Sequence, residues 1–275
     1  MARPQIVTLT TDFGLVDHFV GAMKGVMLDT FAEVHIVDIT HAIQAYDVLD
    51  GALAISESYK YFPGGSVHLV VVDPGVGSAR RPIIATVGEH YFVAPDNGVL
   101  SLVYAQAETV TVREITSHHY FRQPVSSTFH GRDIFAPVAA HLAKGVDTSK
   151  FGDEITDYAR FAAPKPKPAA DGSLRGIILK IDRYGNLITN IRASDAPHLL
   201  GDNAPRFRIV IGKHEITEIY NHYALGAPGE LFAILGSMGF LEISTNRGTA
   251  AKLTGAVKGA EVILRAEGAA AAGSK

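Results

Sequence analysis

Apolar and polar residues follow two different periods along the first half of the chain. Short apolar runs at 5–9, 34–39 and 67–72 each end in polar residues, which predicts buried β-strands. Between these runs, apolar residues recur every three or four positions at 19–30 and 48–55, which predicts amphipathic helices. The alternation of strand and helix predicts an α/β domain whose mostly parallel sheet is covered by helices on both faces.

The remainder of this half continues the pattern. The run at 67–72 is the most hydrophobic, so we expect that strand to be central. Segments 82–87 and 91–94 predict a hairpin, 109–115 predicts a further strand, and 131–143 predicts a helix.

The pattern changes at Ala163–Ala170, where three prolines at alternate positions favour an extended connector. We therefore place an N-terminal α/β domain at 1–162, a linker at 163–172, a C-terminal β domain at 173–267 and a disordered tail at 268–275. Short strand-like runs separated by turn residues predict a small antiparallel, barrel-like sheet in the second domain. These runs lie at 176–181, 187–191, 207–211, 215–220, 231–235, 240–244 and 261–264.

Composition restricts the classes of function. The chain has 275 residues, of which 47% are hydrophobic and 19% charged, and its net charge is −3. The sequence has no basic cluster of more than a few residues, so nucleic-acid binding, which needs a concentrated positive face, is disfavoured. The absence of cysteine removes thiolate chemistry and disulfides and is compatible with a reducing compartment. No run approaches the roughly 20 apolar residues that span a bilayer, and the N-terminus lacks the apolar core of a signal peptide. We expect a cytoplasmic protein with no membrane partner.

The segment Val71–Arg81 carries the strongest local signal. A hydrophobic run ends in Asp73, a proline and two glycines, and Arg80 and Arg81 follow. Ligands of α/β sheets bind beyond the carboxyl ends of the strands. A carboxylate with guanidinium groups near such an end is therefore a candidate active-site element, with Asp73 as its centre.

Other acidic and imidazole groups also follow predicted strands or precede a helix. They are Asp12, Asp17, Asp38, His41 and His130. One interpretation is a metal-dependent hydrolase, since such groups can converge on a cation. The alternative is that they are ordinary turn and cap residues.

Two further motifs have an interpretation of their own. Gly75 and Gly77 lack the third glycine of a dinucleotide fingerprint and the Lys-Ser/Thr of a Walker loop, so we reject both kinds of site. Tyr184 and Asn186 fit either a hairpin turn or a purine site, with stacking from the ring and hydrogen bonds from the amide.

Five segments in register resemble one family, the S-adenosylmethionine hydroxide adenosyltransferases, which are relatives of fluorinase and chlorinase. The resemblance runs from about residue 5 to about residue 265. The segments are Thr10–Gly14 (TTDFG), Val72–Ser78 (VDPGVGS) with Arg80, Phe129–Asp133 (FHGRD), Ile181–Asn186 (IDRYGN) and Gly239–Ile243 (GFLEI).

The resemblance implies hydrolysis of S-adenosyl-L-methionine to adenosine and L-methionine, by attack of a water-derived oxygen on ribose C5′. It also implies an α/β domain followed by a small β domain, and a homotrimer with sites between subunits. The resemblance implies neither a metal nor a cofactor, and S-adenosyl-L-methionine is the substrate.

The resemblance also implies roles for individual residues. Asp73, Arg80 and His130 match the catalytic set that handles the water. Asp12 matches the carboxylate that holds both ribose hydroxyls. The remaining matches are Tyr184 and Asn186 for adenine, Asp182 and Asp17 for the methionine end, and Asn246 with Arg247 for the methionine carboxylate, where the alignment is only approximate.

Two alternatives remain open at this stage. One is halide transfer by the same fold, which an anionic Asp73 disfavours because it would repel the halide. The other is a protein that binds adenosine or S-adenosyl-L-methionine without turnover. Whether Asp73 or His130 accepts the proton also remains open.

Overall fold

The computed structural model describes residues 5–200 and 206–266. The chain divides into two compact units, with the division between Ala163 and Pro164. The predicted tail at 268–275 lies outside the described residues.

The first unit contains a seven-stranded mixed sheet. Its strands are β1 (Ile6–Thr11), β2 (His35–Thr40), β3 (Val67–Val71), β4 (Pro82–Val87), β5 (His90–Pro95), β6 (Val110–Glu114) and β7 (Glu154–Ile155). Their order across the sheet is β2-β1-β3-β5-β4-β6-β7. The first four strands in this order pair in parallel, whereas β4 is antiparallel to both of its neighbours. The predicted α/β fold is confirmed, and its sheet is mixed, with three parallel and three antiparallel strand pairs.

Helices cover both faces of this sheet. They are α1 (Phe19–Thr30), α2 (Val48–Ser58), α3 (Ser101–Tyr104) and α4 (Ala136–Ala143). The side chains of β3 are buried on both faces, because Leu69 and Val71 face one core cluster while Val70 faces the other. The first cluster includes α1 and α4, and the second includes α2 and α3. The central position predicted for 67–72 is therefore confirmed.

The helix predicted at 131–143 begins instead with a π-helical turn, Gly131–Phe135, and becomes α-helical at Ala136. Pro137 has no N–H to donate to the carbonyl of Asp133, four residues earlier. The backbone N–H of Arg122 donates to that carbonyl instead, at 2.8 Å. The proline therefore explains why a plain α-helix does not begin at Gly131.

The second unit is an antiparallel, barrel-like sheet. Its strands are β8 (Lys167–Pro168), β9 (Leu174–Ile181), β10 (Leu187–Arg192), β11 (Phe207–Ile211), β12 (His214–Ile216), β13 (Phe232–Leu235), β14 (Phe240–Ser244) and β15 (Glu261–Ala266). The order is β12-β11-β15-β9-β10-β14-β13, with β8 paired to β9. Two short helices, α5 (Pro197–Leu200) and α6 (Ala250–Thr254), accompany the sheet.

Two details of this unit differ from the sequence-based expectations. Part of the proline-rich segment forms β8, an edge strand in which a proline without an N–H is tolerated. The strand predicted at 215–220 ends at Ile216, and Ile219 instead pairs in parallel with Ala233. After β12, which pairs with β11, the chain therefore turns toward β13.

Short 3₁₀ turns complete the described structure, at Tyr59–Tyr61, His118–Tyr120, Thr148–Lys150, Ala193–Asp195 and Tyr223–Leu225.

Candidate functional site

Asp73 follows β3, an interior strand of the first unit's sheet. β3 is buried along its whole length, and Asp73 follows it at the carboxyl edge of the sheet. The loop then turns tightly, with Ser78 N–H donating to the Gly75 carbonyl at 3.0 Å. Gly77 adopts a φ of +77°, and a Cβ there would lie 2.2 Å from the Ser127 carbonyl oxygen. Only glycine fits this position without displacing the neighbouring backbone.

Arg80 binds Asp73 with two nitrogens. Its Nε donates to Oδ1 at 3.0 Å and to Oδ2 at 2.9 Å, and its Nη2 also donates to Oδ2. The two side chains are only 9% and 4% exposed. The ring of Phe135 lies 5.1 Å from the guanidinium carbon, which adds a cation–π contact. This is a desolvated, bidentate ion pair whose geometry is fixed by the protein.

Arg80 also fixes the tautomer of His130. Its Nη2 lies 2.8 Å from His130 Nδ1. Arginine can only donate, so Nδ1 must be the acceptor and the neutral ring carries its proton on Nε2. Burial, and then the positive charge of Arg80, lower the pKa of His130 below its usual value. The neutral imidazole therefore presents an N–H on its free edge.

Arg80 and Arg81 have different partners. Arg81 donates to Asp96 Oδ2 from Nη2 and to Asp157 Oδ1 from Nη1, both at 2.8 Å. The structure thus brings Arg80, and not Arg81, to Asp73. The Nη1 of Arg80 is buried and has no hydrogen-bond partner among the described residues. Such a donor is available to an oxygen ligand.

His130 is the N-cap residue of the π-helical turn Gly131–Phe135. Asp133 is fully buried and accepts from Arg132 Nε at 2.7 Å and from the Ser126 N–H at 2.9 Å. These contacts lower the pKa of Asp133 although burial alone would raise it. Asp133 therefore anchors the turn in which His130 is placed.

Asp12 lies at the same edge of the sheet as Asp73. It follows β1, which pairs in parallel with β3 so that Thr11 aligns with Val71. Its Oδ2 accepts the Tyr46 N–H at 2.8 Å. Tyr46 has a φ of +68°, an uncommon conformation for a residue with a side chain. Sequence reasoning missed this contact because no local signal marks a left-handed tyrosine. Asp17, in contrast, is exposed on the loop before α1.

The second unit contains a cavity of about 630 Å³. It is lined by Asp182, Tyr184, Asn186, Tyr223, Thr245, Arg247, Gly248 and Thr249. Asp182 organises the turn at its edge, because its Oδ1 accepts the N–H groups of Tyr184 and Asn186 at 2.8 and 2.9 Å. Its Oδ2 also accepts from the side-chain amide of Asn186, at 2.9 Å. The Tyr184 ring stays 77% exposed.

Of the two residues expected at the methionine carboxylate, the structure brings only one to this cavity. Arg247 lines it, is exposed and has a φ of +52°. Asn246 instead donates from Nδ2 to the Gly226 carbonyl at 2.8 Å and is not among the residues that line the cavity in the described part of the chain.

Tyr223 and Glu242 were not singled out as site residues from the sequence. The Tyr223 hydroxyl donates to Glu242 Oε2 at 3.2 Å. Burial, and then the negative charge of Glu242, raise the pKa of Tyr223 to about 12. Burial, together with the negative charge of Asp182, raises the pKa of Glu242. The signal was present in the GFLEI segment, where a carboxylate stands inside a strand whose other residues are mostly apolar.

Two features of the described residues bear on other classes of function. Across residues 5–200 and 206–266, no group of three or more His, Asp or Glu side chains could hold a metal ion. In the same part of the chain, no helix has both the length and the apolar character to cross a membrane.

Comparisons with known proteins point to one family. Residues 7–152 match the family model for the SAM hydroxide adenosyltransferase N-terminal domain, and residues 176–263 match that for the C-terminal domain. The chain is 36% identical over 262 residues to (R)-S-adenosyl-L-methionine hydrolase of Salinispora tropica, with 94% of this chain and 97% of the relative covered. It is 28% identical to a fluorinase of Nocardia brasiliensis, with 89% and 91% covered.

A solved structure shows the same fold. The crystal structure of an uncharacterized conserved protein from Thermotoga maritima matches with a TM-score of 0.86 at 35% sequence identity. The match covers 94% of this chain and 99% of that protein.

Proposed function

Since the chain belongs to the SAM hydroxide adenosyltransferase family, we propose that it hydrolyses S-adenosyl-L-methionine to adenosine and L-methionine. The observation that carries the proposal is the contact between Asp73, Arg80 and His130 at the carboxyl edge of the sheet. These are the residues that the resemblance assigns to the water.

Departure of the leaving group, methionine, needs no catalytic group of the protein. A sulfonium carries a positive charge and departs as neutral methionine, so no acid is needed to expel it. The site must instead orient one water opposite the sulfur and stabilise the hydroxide character that develops on it. The buried Nη1 of Arg80 and the Nε2–H of His130 are donors suited to that oxygen.

The tautomer of His130 supports Asp73 as the proton acceptor. Nδ1 of His130 is engaged by Arg80, and Nε2 already carries a proton. The neutral ring therefore has no free lone pair with which to take a proton from water. Asp73 accepts from Arg80 but retains lone pairs, since a carboxylate offers about four acceptor sites. We assign proton acceptance to Asp73 and hydrogen-bond donation to His130.

Substrate binding is divided among the other matched residues. In the proposal, Asp12 binds the ribose hydroxyls, and Asp17 contributes to the methionine end. Tyr184 and Asn186 bind adenine, Asp182 contributes to the methionine end, and Arg247, with Asn246, belongs to the methionine carboxylate. The open cavity beside Tyr184 supports a planar ligand there. No cofactor or metal takes part in this proposal.

The proposal extends to assembly and location. The resemblance implies a homotrimer with active sites between subunits, and the cysteine-free sequence fits a cytoplasmic protein. Sedimentation velocity tests the assembly, where a single species of three times the chain mass is expected and a monomer would contradict it.

Product analysis tests the function. The full chain is incubated with S-adenosyl-L-methionine in saturating chloride, with and without thorough chelation, and the products are separated by chromatography. We expect equal amounts of adenosine and L-methionine in both samples. Formation of 5′-chloro-adenosine would establish halide transfer instead, and loss of activity on chelation would establish a metal hydrolase. Tight binding of adenosine without turnover would establish a binding protein.

A further inference from the structure

Asp38 and His41 belong to a cluster of polar side chains that the proposed chemistry does not use. His41 is 6% exposed and follows β2. Its Nδ1 lies 2.8 Å from Thr11 Oγ1, and its Nε2 lies 3.1 Å from Asp38 Oδ1. Asp38 Oδ2 accepts from Lys24 Nζ at 2.6 Å. A buried imidazole is thus held between a hydroxyl and a carboxylate.

The donor and acceptor capacity of each side chain indicates where the protons of this cluster lie. Nε2 of His41 makes no aligned hydrogen bond, but it lies 3.1 Å from the Asp38 carboxylate, and a proton on Nε2 is favoured there because a lone pair would face a negative charge. Nδ1 of the neutral ring is then an acceptor, and the Thr11 hydroxyl donates to it. Burial alone would raise the pKa of Asp38, but Lys24 and His41 beside it lower the pKa, which keeps the carboxylate charged.

His41 holds the chain on both sides of Asp12. Its side chain binds Thr11, the residue before Asp12, and its carbonyl accepts the Gly14 N–H at 2.8 Å, two residues after it. The loop that His41 begins also reaches Tyr46, whose N–H binds the Asp12 carboxylate. The position and direction of the Asp12 side chain therefore depend on the placement of His41.

We propose that His41, oriented by Asp38, is a positioning residue that fixes the Asp12 carboxylate for the two hydroxyls of a ribose. This inference rests on the proposed function, since it takes the ligand to be an adenosine derivative. His41 does not touch the ribose in this account. It acts through Asp12.

The molecule supplies a matched control on the same strand. Thr8 of β1 also contacts a buried histidine, because its Oγ1 lies 2.8 Å from Nδ1 of His68. His68 is fully buried on β3, near the opposite end of the strands, and packs against His90. In both pairs a threonine of β1 lies 2.8 Å from Nδ1 of a buried histidine. Only the His41 pair flanks Asp12.

Isothermal titration of the full chain with two probes tests the inference. The probes are adenosine and 2′,3′-dideoxyadenosine, which lacks both ribose hydroxyls. For His41→Leu we expect adenosine affinity to fall about 10-fold, since a buried hydroxyl loses its acceptor and Asp12 loses its support. Dideoxyadenosine affinity should stay within about twofold of wild type, because the lost contact is absent from that ligand.

Three further variants separate positioning from folding. His41→Asn keeps an acceptor near the place of Nδ1 and should restore adenosine affinity to within about threefold. Asp38→Asn, at a partly exposed position, should weaken adenosine binding by about threefold. His68→Leu should lower the melting temperature and leave the affinities for both probes unchanged.

The outcomes are distinguishable. If His41→Leu binds adenosine as wild type does, or loses both probes equally, the inference is overturned and the proposed function is not. If Asp38→Asn has no effect, the orienting role of Asp38 is overturned. If the wild-type chain binds no adenosine at all, the proposed function fails and this inference fails with it.

Discussion

The polar groups of the two units are held in opposite ways. In the first unit, Asp73, Arg80 and His130 contact one another through hydrogen bonds, and the side chains of the ion pair are almost completely buried. In the second unit, Tyr184 and Arg247 border an open cavity and are exposed. One group is pre-organised before any ligand arrives, whereas the other offers free surface to a ligand.

This difference indicates a division of work. Pre-organised donors and charges in a desolvated site act on a transition state, where they need no rearrangement. Exposed rings and cations act mainly on binding, which affects KM more than kcat. Changes in the first unit should therefore lower kcat, and changes at the cavity should raise KM.

The largest expected effect is that of Asp73→Ala. Removing the proposed proton acceptor should lower kcat by about 10²-fold or more, while adenosine affinity changes little. Stability should also fall, because Arg80 is left as a buried charge without its partner. Adenosine release and titration calorimetry measure the two quantities separately.

A neighbouring ion pair controls for that stability loss. Arg81 donates to Asp96 from Nε and Nη2, much as Arg80 donates to Asp73. Asp96 has no assigned role at the site. Asp96→Ala should destabilise the chain without a comparable loss of kcat. Near-full turnover by Asp73→Ala, or equal kcat losses in both variants, would remove the distinction between the two pairs.

Tyr184→Ala should have the next largest effect. Loss of a stacked ring should raise KM about 10-fold with little change in kcat, since base–aromatic stacking is worth about 1–3 kcal/mol. Tyr184→Phe should behave as wild type. Tyr61, an equally exposed tyrosine of the first unit, provides the control variant Tyr61→Ala. A kcat loss in Tyr184→Ala with unchanged KM would contradict the assignment of this cavity to binding.

The dependence of kcat on pH should show a smaller effect than these substitutions, on the acid side of the profile. His130 must be neutral to accept from Arg80, and its lowered pKa keeps it neutral below its usual value of 6.5. Between pH 7.5 and 6.5 we therefore expect kcat to stay nearly constant, with the decline at lower pH. A half-maximal kcat at pH 6.5 or above would show that burial and Arg80 do not lower the pKa of His130.

Glu242→Gln should have the smallest effect. The raised pKa of Glu242 means that the folded chain holds this proton more tightly than the unfolded chain does, for which the value is about 4.5. Wild-type stability should thus fall as pH rises from 4.5 through the raised pKa, and the variant should lose that part of the slope. Urea unfolding at several pH values measures it, and parallel profiles would contradict the burial of this carboxylate.

Much of the fold could be predicted from the sequence, because its helices and strands carry regular periods. The helix Phe19–Thr30 and the strand Val67–Val71 both emerge from apolar spacing alone. The π-helical turn could not, since the Asp133 carbonyl, which has no donor from Pro137, accepts instead from the distant Arg122. Local patterns do not report such long-range contacts.

The candidate site divides in the same way. Asp73 and Arg80 stand seven residues apart in one loop, so their contact could be anticipated. The choice of Arg80 over Arg81, and the tautomer of His130, depend on geometry between distant segments. Tyr46 was missed for the same reason. Glu242 was missed although its segment, GFLEI, was noted, because its contact with Tyr223 joins distant parts of the chain.

The origin of the 5′-oxygen tests the central claim most directly. The full chain is incubated with S-adenosyl-L-methionine in water enriched in oxygen-18, and the adenosine is analysed by mass spectrometry. Attack of water on ribose C5′, organised by Asp73, Arg80 and His130, predicts one heavy oxygen in the 5′-hydroxyl of every adenosine formed. Adenosine without the label, or 5′-halo-adenosine in its place, would contradict the account.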